Sequence, residues 1–299
     1  MFEDFKNAFH RYNNGHVQLI IINLAVFVVM GVIMVILNVS GLKDVWDVIH
    51  EQFQIPARFA DYIQRPWTLL TYMFMHDLSG ILHILMNMLV MYWFGRLFVE
   101  YLGSDKLIAV YLLGGIAGGV FYLLAYNTIP YYVTQSQSFD IGMVGASASV
   151  NAIVVAAATL VPNYTFFLLF LGPVRIKYIA AFFVFLSFLG SVGNNAGGNI
   201  AHLGGALMGF LYMKQLQSGV NWGGWITVTI EWFKDLFKEK PKVKVSYRKD
   251  KATNIRSTPA EKGSYTQEEI DRILDKISEG GYESLTKDEK EKLFNASKK

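Results

Sequence analysis

Gly145-Ala146-Ser147-Ala148-Ser149-Val150-Asn151-Ala152 opens an apolar, uncharged run that reaches Val161 and stops at Pro162. At about 1.5 Å per residue it makes a helix barely able to cross ~30 Å of hydrocarbon. Such a short helix is expected at the centre of a bundle, surrounded by protein. A serine at its mouth is unremarkable alone. A histidine at the matching place in a later apolar segment, Ala201-His202-Leu203-Gly204-Gly205, changes its meaning. Serine needs a base to take its proton, and a neutral imidazole is the usual one. The pair reads as nucleophile and general base inside a membrane.

The composition agrees with a membrane setting. Of 299 residues, 53% are hydrophobic and 17% charged, against about 25% charged in soluble domains. With no cysteine, disulfides, thiol catalysis and thiolate metal sites are excluded. The net charge of +3 is small. Its lysines gather after residue 233, as in a cytosolic segment beside anionic lipid, which argues against nucleic acid as a partner. The apolar run after residue 16 has no small-residue cleavage site, so it reads as a retained helix.

Six crossings follow from the apolar runs: about 17–39, 80–101, 106–126, 145–161, 178–189 and 198–213. Between the first two, residues 40–77 are polar and aromatic and suit the headgroup level. Residues 164–171 are apolar but end at Gly172-Pro173, too short to cross. Lys and Arg favour the loops after crossings two, four and six, which puts both termini in the cytoplasm. Trp225, Val228, Trp232 and Leu236 recur at helical spacing and predict an amphipathic helix on the inner surface. Thr266 with Glu269, and Thr286 with Glu289, fit capping boxes and predict a small helical hairpin near 266–297.

This threading sets the candidate residues at one depth. Ser147, His202, His83 and Asn87 each fall within roughly 10 Å of the outer boundary, on three separate helices. An acyl-transfer intermediate needs donors aimed at its oxyanion. The Ser147 amide at a helix start is one; His83 and Asn87, four apart on one helix face, supply two more. Gly145 allows the tight entry that exposes the serine. Ala201, Gly205 and Gly209 recur every four residues and would bring the sixth helix against the fourth. Arg96 and Glu100, also four apart, can pair as anchors at the inner boundary.

Residues 15–215 resemble the rhomboid intramembrane serine proteases. The likeness rests on His76, His83 and Asn87 entering the second helix, Gly95-Arg96, Glu100 and Gly103 at its end, Gly145 and Ser147 at the fourth, and Ala201-His202, Gly205 and Gly209 on the sixth. It implies an all-α six-transmembrane-helix bundle with a partly embedded first outer loop, Arg65 and Trp67 lying near that loop's buried turn. It implies a Ser147–His202 dyad without an acidic third member, an oxyanion site of His83, Asn87 and the Ser147 amide, and a gate at the fifth helix. The family often has Gly after the serine, where this chain has Ala148. An aromatic residue often follows one turn later and stacks on the histidine; here Asn151 stands there and is expected to orient the imidazole by a hydrogen bond.

The expected organisation is a cytosolic segment over 1–16, the protease bundle over 17–216, an amphipathic helix and charged linker over 217–262, and a cytosolic helical hairpin over 263–299. The expected activity is cleavage of membrane-protein substrates in or beside their transmembrane segments, near the outer leaflet of what reads as a bacterial inner membrane. The lipid bilayer is the other partner; neither cofactor nor metal is expected. The alternative is an inactive relative of the same fold that binds membrane clients. A transporter is disfavoured because acidic residues are missing at the cluster's depth. A zinc protease is disfavoured because no His-Glu-x-x-His occurs.

Overall fold

The computed structural model describes residues 7–8, 13–78, 80–138, 141–237 and 266–296. Helix α1 (Gly15–Val39) has no charged residue. Its one buried amide, Asn23, donates to Leu19 O at 2.8 Å and to the Tyr111 hydroxyl at 3.1 Å, as a polar group in hydrocarbon must. The segment expected as a loop over 40–77 carries three short helices: α2 (Lys43–Glu51), α3 (Phe59–Gln64) and α4 (Thr68–Thr71). Arg65 Nη1 donates to Glu51 O at 3.0 Å, and Trp67 Nε1 to Gln52 O at 3.0 Å, pinning the turn between α3 and α4 to the end of α2.

Helices α5 (Ile81–Leu102) and α6 (Ser104–Thr128) meet at Gly103, whose φ of +83° suits a glycine. With α1 they are the helices long and apolar enough to cross a membrane, among the described residues. Arg96 and Glu100 are both exposed on α5, and among the described residues no ion pair joins them. The expected pairing is absent because each is free to seek solvent or headgroups. A proline at a first helical position is tolerated because its missing N–H is an orphan there anyway. Pro130 uses this to start α7 (Pro130–Ser138), a helix within a segment expected as loop.

Helix α8 (Ser147–Leu160) is the centre: ten of its 14 residues are buried. It is packed against α6 and against α10 (Ala196–Gln217), with α9 (Ile176–Leu189) on a further side. The packing is backbone to backbone. A Cβ at Gly205 or Gly209 would collide with the carbonyl of Ala148 or Ala152, so only glycine lets α10 approach this closely. A Cβ on Gly118 of α6 would stand 2.6 Å from the Ala148 methyl. The extra carbon of Ala148 is therefore accommodated by the missing one at Gly118.

Two small antiparallel ribbons complete this part. Strand β1 (Ile55–Pro56) pairs with β2 (Gly142–Met143), Ile55 opposite Met143, and so ties the first loop to the approach to Ser147. Strands β3 (Thr165–Leu168) and β4 (Gly172–Arg175) form a hairpin with Phe166 opposite Val174. Its tip holds Leu169, Phe170 and Leu171, all strongly exposed. Helix α11 (Gly224–Phe237) buries Ile226 and exposes Trp225, Val228 and Trp232; the Leu236 side chain lies outside the described set. An apolar exposed stripe of this kind suits a lipid surface.

The chain divides into two compact units, Met1–Glu239 and Lys240–Lys299. The expected linker over 238–262 falls outside the described residues. In the second unit, α12 (Gln267–Gly280) starts with a full capping box of Thr266 and Glu269. Helix α13 (Lys287–Ala296) starts with Glu289 accepting from the Thr286 amide at 2.8 Å. Lys276 Nζ reaches Glu289 at 3.0 Å and joins the two helices.

Candidate active site

Ser147 is the first residue of α8, and Ala146 caps it. Gly145 precedes the cap with φ +138°, a conformation that L side chains avoid. Its amide donates to Tyr72 O at 2.9 Å, and the Tyr72 hydroxyl in turn donates to Gly115 O of α6. The serine turn is thereby fixed to the first loop and to α6 together. His202 lies in the second turn of α10, and its Nε2 is 2.7 Å from Ser147 Oγ. Hydroxyl and imidazole thus meet across the α8–α10 contact that the glycines permit.

The other expected residues are placed as follows. His83 sits in the first turn of α5, with its Cε1 3.8 Å from where a Cβ on Gly145 would stand. Asn87 is one turn along, buried, and its Nδ2 has no hydrogen-bond partner among the described residues. A buried donor left unmet costs about 1–3 kcal/mol, so this amide has a hydrogen bond to give to a ligand, an intermediate or a water. His76 is fully buried, edge-on to His83 with ring centroids 6.1 Å apart. Both of its ring nitrogens, like Asn87 Nδ2, lack a hydrogen-bond partner among the described residues. Among the described residues no group of three or more His, Asp or Glu side chains gathers to hold a metal.

Two features depart from expectation. Asn151 does not orient the imidazole; its Nδ2 donates to Ser147 O at 2.9 Å, the carbonyl four residues back on its own helix. An amide in the first turns of a helix finds that carbonyl before it can reach across to another. The imidazole's second contact comes from a residue the sequence reading passed over. Ser187 of α9 is buried, and its Oγ is 3.2 Å from His202 Nδ1. The available signal was its position: the one serine in α9, whose residues from Ile179 onward are otherwise apolar, where a polar residue within a spanning segment is a functional candidate.

A model of the Rhomboid domain matches residues 64–217, which takes in all of these positions. The chain belongs to the rhomboid family. A second model, a family of unknown function (DUF6576), matches residues 260–299, the helical hairpin. Among relatives, RHOMBOID-like protein 12, mitochondrial, of Arabidopsis thaliana is 30% identical over 64% of this chain and 59% of its own length. Rhomboid-like protein 16, chloroplastic, of the same plant is 26% identical over 67% and 62%. Rhomboid protein 1, mitochondrial, of Saccharomyces cerevisiae is 26% identical over 66% and 54%. The chain therefore spans less than two thirds of the length of each. These relatives overturn the expected bacterial inner membrane, since by name they are mitochondrial and chloroplastic proteins. Lys and Arg bias reports which side of a bilayer a loop occupies, and it carries no information about which bilayer that is.

Proposed function

We propose that this rhomboid is an intramembrane serine endopeptidase that cleaves membrane proteins in or beside a transmembrane segment, with Ser147 and His202 as its catalytic residues. The observation that carries the reading is the 2.7 Å contact between Ser147 Oγ and His202 Nε2. His202 takes the hydroxyl proton through Nε2 as Ser147 Oγ attacks the scissile carbonyl, and later delivers it to the leaving amine. The oxyanion is met by the Ser147 amide, by Asn87 Nδ2 and by His83. His202 then takes a proton from the water that attacks the acyl-enzyme carbonyl and returns it to Ser147 Oγ as the acid product leaves.

Six crossings, the fourth and fifth being the short α8 and α9, make up the proposed bundle over 17–216. The amphipathic α11 and linker follow, with the hairpin over 263–299 as an appendage. An apolar groove of about 530 Å³ runs between α8, α9 and α10 past Ala180, Val184, Phe188 and Leu203. Its wall includes Leu203, the residue next to His202, and its apolar lining suits a substrate helix entering from the side. The test is cleavage of a reporter transmembrane segment in liposomes. Wild type should cut, Ser147→Ala and His202→Ala should not, and a phosphonate should label Ser147. A well-folded wild type that neither cuts nor labels would instead give the client-binding, inactive reading.

A further inference from the structure

We propose that Ser187 is a positioning residue that holds His202 in the tautomer bearing its proton on Nδ1, leaving Nε2 bare for the proton of Ser147. The proposal rests on the dyad reading above. Ser187 Oγ has two neighbours: Phe183 O at 2.9 Å and His202 Nδ1 at 3.2 Å. A hydroxyl has one proton to give, and a carbonyl oxygen can only accept. With that proton on Phe183 O, only lone pairs of Oγ face Nδ1, so Nδ1 must carry a hydrogen. Nε2 is then the acceptor, 2.7 Å from Ser147 Oγ.

The opposite tautomer satisfies fewer groups. Nε2–H would donate to Ser147 Oγ, and the Ser147 proton would have no acceptor among the described residues. Nδ1 would also need the Ser187 proton, which would have to leave Phe183 O. Buried polar groups settle into the arrangement that meets all of them, and here one arrangement does so: Ser147 to His202, His202 to Ser187, Ser187 to Phe183. Ser187 is only 4% exposed, so bulk water does not compete for its hydroxyl. Nor does Asn151, which is committed to Ser147 O. The imidazole of this rhomboid is thus oriented from α9, by a neutral hydroxyl in the place where other Ser–His enzymes use a carboxylate.

The test uses full-length protein with nitrogen-15 in its histidines, reconstituted in micelles and read by NMR, alongside steady-state cleavage. In wild type, neutral His202 should show the shift pattern of a protonated Nδ1. Ser187→Ala should give a mixture of tautomers and lower kcat roughly tenfold with KM unchanged, the size of one net hydrogen bond. Ser187→Thr, which keeps the hydroxyl, should restore both. A wild-type His202 protonated on Nε2, or a Ser187→Ala protein with unaltered tautomer and kcat, overturns the proposal. If Ser147→Ala still cleaves, the dyad reading falls, while the tautomer measurement decides the role of Ser187 regardless.

Discussion

Gly205→Ala probes whether backbone contact between α10 and α8 sets the distance between base and nucleophile. A Cβ at this position would stand 2.8 Å from the carbonyl carbon of Ala148 and 3.2 Å from its Cα. Non-bonded carbons settle at about 3.5–4.0 Å. Relieving the carbonyl-carbon contact alone to the near end of that range requires α10 to withdraw by about 0.7 Å (3.5 − 2.8), a lower bound because the Ala148 carbonyl oxygen lies nearer still. His202 is three residues away on the same rod, so most of the movement reaches its ring. The 2.7 Å contact with Ser147 would then open to at least about 3.4 Å (2.7 + 0.7), outside ordinary hydroxyl bonding lengths. Overpacking costs about 1–3 kcal/mol of stability, and an error approaching 1 Å in a reacting pair costs on the order of 100-fold in rate. The assay is reporter cleavage in liposomes, with phosphonate labelling of Ser147 and thermal unfolding on the same preparation. A variant that unfolds lower yet cuts at the wild-type rate would refute the claim that this contact sets the dyad; an unchanged unfolding temperature would refute the close packing itself.

Gly145→Ala has room for its methyl, since the nearest atom is Ser147 Oγ at 3.5 Å, so its cost is the φ of +138°. We expect roughly 1–3 kcal/mol of destabilisation and slower labelling of Ser147; wild-type thermal stability contradicts the strain argument. The helical hairpin should respond to acid. The Thr286 amide, then Lys276, holds the Glu289 carboxyl down at about 2, below its ordinary 4.5. A depressed carboxylate stabilises fully above the unfolded value and loses that contribution as pH falls toward the folded one. NMR shifts of Lys287–Ala296 in the full chain should therefore lose helicity between about pH 4.5 and 2. In Glu289→Gln the Glu289 component of that acid step should be gone; an identical midpoint in the two proteins rules it out.

Sequence periodicity located the helices that matter because their apolar runs and glycine spacing are local signals. Gly205, Gly209 and Ala201 announce a close partner, and His202 is adjacent to them; Gly145 announces a turn before Ser147. What stayed hidden was set by tertiary contact. The residues Tyr164 to Arg175 fold as a hairpin, although a short aromatic run ending in Gly-Pro reads equally as a broken helix. Pro130 to Ser138 is a helix whose apolar side is thin, so no stripe marked it. Asn151 turned to its own helix and Ser187, which no expectation named, stands beside the imidazole instead, because a side chain's choice between its own helix and a neighbour depends on distances that one-dimensional spacing does not contain.

The pairing of Ile55 with Met143, together with the bond from Gly145 to Tyr72 O, splices the aromatic first loop to the backbone that presents the nucleophile. That loop carries exposed Phe59, Ile63 and Trp67, the side chains with most to gain from floating at a fixed level in lipid. A thicker or thinner bilayer is therefore expected to tug on the same short lever that aims Ser147, which would make the surrounding lipid a tuning peg for the proposed chemistry rather than inert packaging.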